Sequence, residues 1–236
     1  MSMADKVLQL KQDFDDVYEA GKQSGGGNNT EAFENGKKEV WKGITCDGTR
    51  VHYGNAFAYQ DLDYFYPCYD MQPTNAGYMF AQTRNGGTLD FVDRLEKCGV
   101  TLDFSKATSM ARTFYVSGVT RLGVIDCRST TALDYLYATS TYLHTIELMI
   151  VDANNTYNNS FSGTSELANI EFEGEIGNNI SFANCTKLTH DSLMSIINHL
   201  QVKTSGTFTL SFGSTNLAKL SNEEKAVATQ KGWTLS

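Results

Sequence analysis

Proline is nearly missing: the 236 residues contain 2, beside 20 glycines, where ordinary usage is about 5%. With so much Gly, Thr and Asn around it, that shortage points to many short strands joined by tight polar turns. Cysteine supplies no scaffold. The five (Cys46, Cys68, Cys98, Cys127, Cys185) are odd in number and none forms a CxxC, so neither a zinc site nor a disulfide framework is indicated. They read as small buried hydrophobes in a reducing compartment. Positive charge is in the minority, 19 Lys and Arg against 27 Asp and Glu for a net −8. Nucleic acid and anionic membranes are therefore excluded as main partners, because both need a basic face. No apolar run approaches the roughly eighteen residues of a membrane span, so no membrane insertion is expected. The start, Met1-Ser-Met-Ala-Asp-Lys, lacks the basic and apolar regions of a secretory signal, which predicts folding in a cytosol.

Catalytic patterns are also wanting. The histidines (His52, His144, His190, His199) are scattered, with no HExxH, and there is no GxSxG, no Walker loop and no GxGxxG after a strand. Gly25-Gly26-Gly27 has no strand before it and reads as a linker. The expectation is a protein that is not an enzyme, with no catalytic residues, no metal and no cofactor.

What is present begins with an amphipathic helix. Val7, Leu10, Phe14 and Val17 step by 3, 4 and 3, an a/d seam over about residues 4–22. Glycines stop it and open a flexible stretch. Such a seam has no evident place to bury itself, which predicts a homo-oligomer such as a trimer; two heptads are marginal alone, and packing back on the main domain is the alternative. The organisation reads as helix 1–24, linker and short second helix 25–45, aromatic-rich N-terminal cap 46–99, repeats 100–188 and a mixed C-terminal cap 189–236. The cap holds Tyr53, Phe57, Tyr59, Tyr64, Phe65, Tyr66, Tyr69, Tyr78 and Phe80, either covering the first coil or offering a stacking surface for sugars. Leu89, Val92 and Leu95 suggest a helix ending at Gly99.

From residue 101 one triplet recurs, apolar, acidic, apolar: Leu102-Asp103-Phe104, Ile125-Asp126-Cys127, Ile146-Glu147-Leu148 and Ile170-Glu171-Phe172. The acids are 23, 21 and 24 residues apart, a solenoid period. Leu122, Leu143 and Leu167 precede the last three triplets, Leu188 continues that series, and Val116, Tyr137, Phe161 and Phe182 stand six residues before these leucines. Because side chains alternate along a strand, the outer members of each triplet are expected to form the inner face of a parallel sheet. Asp103, Asp126, Glu147 and Glu171 are then stacked on the opposite face, about 5 Å apart. Thr101, Thr145, Asn169 and Arg128 share that face. The stripe is either a solvated strand face or a hydrogen-bonding surface for a glycan or a cation-bearing wall polymer. Beyond it, Leu193, Ile196, Ile197 and Leu200 predict a helix capped by Thr189 or Asp191. Residues 207–212 alternate as a strand, Ser221 with Glu224 reads as a capping box, and residues 233–235 as a last strand.

The coil pattern, with Phe182-Ala-Asn-Cys-Thr-Lys-Leu188 nearest the motif, resembles the BspA-like leucine-rich repeats of bacterial surface proteins. Four segments resemble more specifically a group of leucine-rich-repeat proteins encoded by phages and prophages of Gram-positive gut bacteria. They are Leu95-Glu-Lys-Cys-Gly-Val-Thr-Leu-Asp-Phe-Ser-Lys106, Thr120-Arg-Leu-Gly-Val-Ile-Asp126, Leu188-Thr-His-Asp-Ser-Leu-Met-Ser-Ile-Ile197, and Asn216-Leu-Ala-Lys-Leu220 through Lys231-Gly-Trp-Thr-Leu235. The resemblance spans about residues 60 to 236. It implies an α+β chain: a short irregular leucine-rich-repeat solenoid of stacked short parallel strands, with mixed α/β caps. The asparagine of regular leucine-rich repeats after L-x-x-L-x-L is lacking, so a flattened solenoid is expected rather than a horseshoe. The resemblance further implies a virion or phage-tail protein, made in the bacterial cytoplasm without a signal peptide. Its partners are then a bacterial surface glycan or protein and other phage tail proteins. The rival readings are a cellular BspA-like surface adhesin, an intracellular interaction scaffold and a wall-degrading hydrolase.

Overall fold

The computed structural model describes residues 56–59, 62, 65, 67, 70–84 and 87–236. The N-terminal seam of Val7, Leu10, Phe14 and Val17, the glycine linker, the second helix and Tyr53, Tyr64, Tyr66 and Tyr69 lie outside these residues. The described chain is mixed α and β. Its elements are β1 (Leu89–Asp90), α1 (Phe91–Cys98), β2 (Val119–Asp126), β3 (Thr145–Val151), β4 (Asn169–Gly174), β5 (Ile180–Ser181), α2 (His190–Asn198), β6 (Phe208–Ser211), α3 (Gly213–Leu217), α4 (Asn222–Gln230) and β7 (Trp233–Leu235). One sheet runs in the order β1-β2-β3-β4 and a second in the order β5-β6-β7, with every neighbouring pair parallel.

Parallel strands need a return connection, and here the chain returns mostly through turns rather than helices. This return limb (residues 77–82, 111–116 and 134–139) bonds to the next turn as a strand would, the last of them to residues 158–162. Phe80 N–H donates to Thr113 O at 2.8 Å, Phe114 N–H to Leu136 O at 2.9 Å and Tyr137 N–H to Ser160 O at 2.9 Å. Phe57 and Tyr59 already follow this pattern, their N–H groups donating to Met79 O at 2.8 Å and Ala81 O at 2.9 Å. The turns around Phe80, Phe114 and Tyr137 are thereby hydrogen-bonded to the next through both limbs.

Between the limbs runs an aromatic stack. Phe57, Phe80, Phe114, Tyr137, Phe161, Phe182 and Phe212 follow one another with centroids 4.4 to 6.3 Å apart, and all seven are buried. Their spacings in sequence are 23, 34, 23, 24, 21 and 30; the two long intervals are those that contain α1 and α2. Val116, expected in this row, is only half-buried. Phe114 takes its place, because the first full turn reaches its strand by a longer path through Ser117 and Gly118.

Buried polar backbone needs partners, and small side chains three residues after the aromatics provide them. Ser140 Oγ donates to Phe114 O, Thr164 Oγ1 to Tyr137 O at 2.9 Å and Cys185 Sγ to Phe161 O at 3.7 Å, while Thr83 and Ser117 bond one another at 2.9 Å. Asn155 adds to this row between turns, donating to Cys127 O at 3.2 Å and to Thr130 O.

The strand register corrects the expected triplet alignment. Leu122 pairs with Ile146 and Ile125 with Met149, so β2 stands three residues out of the predicted frame. In β3 the alternation breaks after Ile146. Met149, which follows the triplet and on its alternation would face outward, is fully buried, whereas Leu148, predicted inside, is half-buried.

The helix ends follow local chemistry. α1 starts at Asp90, whose carboxylate accepts from Asp93 N–H at 3.0 Å, and stops at Gly99, where φ is +64°. α2 is capped by Thr189. α4 carries both bonds of the Ser221–Glu224 capping box. α3 was not foreseen; its Asn216 is buried and donates to Phe182 O, Cys185 O and Phe212 O at 3.1 to 3.4 Å. Among the described residues no helix is long and apolar enough to cross a membrane.

Candidate functional site

Of the predicted site residues, Thr145, Glu147, Asn169 and Glu171 lie on β3 and β4, Asp126 ends β2 and Arg128 follows it. Thr101 and Asp103 flank Leu102, which makes an isolated bridge with Met71 instead of the expected sheet strand, so the residues do not form one stripe. Across the sheet, Arg121 pairs with Thr145 and Thr145 with Asn169, so Thr145 and Asn169 are neighbours as expected. Glu147 lies opposite Gly123, between the pairs Leu122 with Ile146 and Val124 with Leu148. Asp126 instead pairs with Ile150, and Ile150 with Glu173. The predicted ladder Asp103, Asp126, Glu147, Glu171 is therefore split into two rows. The three-residue frame error is the cause: register is set by which inner side chains fill the core, and Leu122 fits beside Ile146 where Ile125 was assigned.

The two rows have different chemistry. Asp126 closes β2 and Asp103 follows the bridge residue Leu102; each carboxylate accepts the N–H two residues on, Ser105 at 2.8 Å and Arg128 at 3.1 Å. Asp152 does the same with Asn154 at 2.9 Å. Such turns are the usual task of aspartate where a strand ends. Asp152 thus makes the same turn two residues beyond Ile150, the partner of Asp126, and the signal that marks it is Asp followed by a polar turn. Glu147 and Glu171 belong to the strand proper.

Asp126 is the most buried of the acids, with its side chain 8% exposed, against the prediction of a solvent-facing group. Arg128 folds back over it: Nε donates to Oδ1 at 3.0 Å and Nη2 to Oδ2 at 2.6 Å. This fork, aided by the Arg128 N–H, holds the Asp126 carboxyl below the ordinary range despite burial and despite Asp103 nearby. Burial pushes the Asp103 carboxyl upward, but bonds from the backbone and hydroxyl of Ser105 and from Gln72 outweigh it and leave it lowered. Glu147 pairs with Arg121, whose other partner is Asp90 at 3.7 Å. Thr101 stands away from Thr145 and Asn169, its N–H and hydroxyl both donating to Asp70 at 2.7 and 2.9 Å. Two of the four predicted acids, Asp126 and Glu147, are therefore paired with arginines within the chain, and Asp103 is held by neutral donors. Glu171 and Glu173 remain exposed.

What is left outward on this sheet is a mixed patch: Val124, 52% exposed, the half-buried Leu148 and Ile150 beside it, and a border of Arg121, Glu147, Thr145, Asn169, Glu171 and Glu173. The return limb carries a second outward row that sequence reasoning did not single out. The Arg112 guanidinium lies 5.3 Å from the Tyr78 ring centre and 4.6 Å from that of Tyr135, and Nη1 donates to the Tyr78 hydroxyl at 2.6 Å. Tyr115 meets Tyr135 edge-on at 6.4 Å. Tyr78 and Tyr135 lie two residues before core aromatics, a signal that only the aromatic register exposes.

Nucleophile chemistry finds little to work with in the core. Cys127 and Cys185 are free and buried; burial raises both thiols, Cys185 to about 12, so neither is a thiolate near neutral pH. Among the described residues no group of three or more His, Cys, Asp or Glu is placed to hold a metal ion. His190 instead bridges to Glu224 at 2.8 Å, tying α2 to α4. No protein-family model, no curated protein and no solved structure matches the chain.

Proposed function

We propose that the chain is a non-catalytic binding protein built as a short leucine-rich-repeat solenoid, acting as a phage or prophage tail-associated adhesin on the bacterial surface. One observation carries the binding role. Parallel sheets are ordinarily covered on both faces, yet the outer face of β2 to β4 leaves Val124, Glu171 and Glu173 to solvent. An apolar centre with a polar border is the make-up of a recognition surface. The resemblance of segments such as residues 95–106 and 188–197 to phage-encoded leucine-rich-repeat proteins supports the tail assignment, the virion as location and other tail proteins as neighbours. On the same reading the seam of Val7, Leu10, Phe14 and Val17 joins copies, and several weak sites on one particle add up to avidity.

The test is binding of the purified chain to bacterial cells, wild type against Val124→Glu with Glu171→Lys. Both positions are exposed, so the fold tolerates them. The pair is expected to lose binding at least tenfold; binding equal to wild type overturns the strand face as the contact.

A further inference from the structure

The return limb adopts a left-handed backbone twice per turn, two residues before and two residues after the core aromatic. Among the described residues every non-glycine with positive φ falls in these two rows. Tyr78, Arg112, Tyr135 and Asn159 stand before the aromatics and Tyr59, Gln82, Val116 and Thr139 after them, all with φ between 54° and 61°. The turn around Phe161 shows what this backbone favours: Asn159 in one row and Gly163, φ +73°, in the other, the residues that enter the left-handed region most cheaply. The turns around Phe80, Phe114 and Tyr137 put Tyr, Arg and Tyr at the position that Asn159 fills.

The fold does not ask for these side chains. Packing inside is done by Phe80, Phe114 and Tyr137, whereas Tyr78 is exposed and Arg112 and Tyr135 are half-exposed. The backbone shape recurs in every one of these turns, so what sets the row apart is the choice of costly, exposed side chains where asparagine would serve, and residues held in this region cluster at functional sites. Tyr78, Arg112 and Tyr135 also hold one another in place through the ring contacts and the hydrogen bond given above. Alongside, Gln82 Nε2 donates to the Tyr59 hydroxyl at 3.1 Å and Asn158 Nδ2 to Asp134 Oδ1 at 2.9 Å.

We infer that the row Tyr78, Arg112, Tyr135 is a binding site for a polysaccharide chain laid along the direction in which the turns stack. Tyrosine offers ring surface and a hydroxyl together, and the planar guanidinium and carboxamides of Arg112, Gln82 and Asn159 suit paired sugar hydroxyls. Successive turns are about 5 Å apart, so the repeating units of a polymer meet equivalent positions. Side chains already fixed by their neighbours lose little freedom on binding.

The same surface argues against other macromolecules. A protein partner needs an apolar centre that excludes water, and the exposed large aliphatics of the described residues, Val124 and Val202, lie elsewhere. Nucleic acid needs several cations in line, and this row has Arg112 alone. The sugar class rests on the surface-binding reading above; the position of the site does not.

The experiment measures Tyr78→Asn, Arg112→Asn, Tyr135→Asn and the triple variant in two ways. One is thermal unfolding. The other is binding to an immobilised panel of bacterial surface polysaccharides, with a second panel after periodate oxidation, which cleaves vicinal diols. Wild type is expected to bind the untreated panel and lose the oxidised one. Arg112→Asn should lose at least tenfold in affinity with an unfolding temperature unchanged or raised, because asparagine relieves the left-handed strain. Full binding by the triple variant overturns this site and leaves the strand face standing. Lost binding together with lowered unfolding temperatures in all three single variants assigns the row to the fold and overturns it too. Binding that survives periodate overturns the sugar class, and no binding by wild type to any polysaccharide overturns the inference, while cell binding sensitive to Glu171→Lys would still support the adhesin reading.

Discussion

Asp126 shows how a residue that reads as surface charge becomes part of the fold. Its side chain is 8% exposed and takes both ends of the Arg128 fork, which favours the ionised form and lowers its pKa. A carboxyl lowered in the folded state binds fewer protons there than in the unfolded chain. Its contribution to stability is therefore complete above the ordinary value of 3.8 and is lost as pH falls below it through the folded value. Removing the fork by Arg128→Ala should shift acid unfolding, followed by circular dichroism, to higher pH; an unchanged midpoint refutes the pairing. The residue types at the strand ends were legible, since aspartate followed by a polar turn is a local signal. The identity of the stacked neighbour was not, because it depends on a strand more than twenty residues away.

At the scale of elements, α2 protects an edge. β4 is the last strand of its sheet, and an edge presents unpaired N–H groups. Two serines one turn apart on α2 accept them: Ile170 N–H donates to Ser192 Oγ at 2.9 Å and Phe172 N–H to Ser195 Oγ at 3.0 Å. Each serine to alanine change strands a backbone donor and should cost about 1–3 kcal/mol. Urea unfolding gives that number, and hydrogen exchange at Ile170 and Phe172 should quicken selectively; protected amides in Ser192→Ala would show that another group satisfies the edge. Existence of α2 and α4 was readable from periodicity and from Thr189, Ser221 and Glu224, since capping is local. The sheet-facing role of Ser192 and Ser195 was not, as nothing nearby in sequence says which strand lacks a neighbour.

For the whole molecule, the aromatic stack makes stability a property shared between turns. Phe161 sits between Tyr137 at 5.3 Å and Phe182 at 4.4 Å, so truncating it opens a hole between two turns at once. Phe161→Ala should cost about 3–5 kcal/mol, and in a chain where each turn touches its neighbours faster exchange should reach Tyr137 and Phe182 before the distant Phe57 turn. A uniform loss of protection would refute neighbour-only coupling. What the sequence determined by itself was the repeat of some twenty-odd residues, the turn-rich composition, the capped helices and the mixed α and β content, because each rests on spacing or on bonds within a few residues. Only the tertiary structure decided the strand register, the exchange of Val116 for Phe114 in the core and the separation of the acids into a turn row and a strand row. The physical reason is that adjacent turns choose their alignment by filling a common core. A three-residue slip costs nothing in local pattern, yet it changes which side chains meet across the sheet.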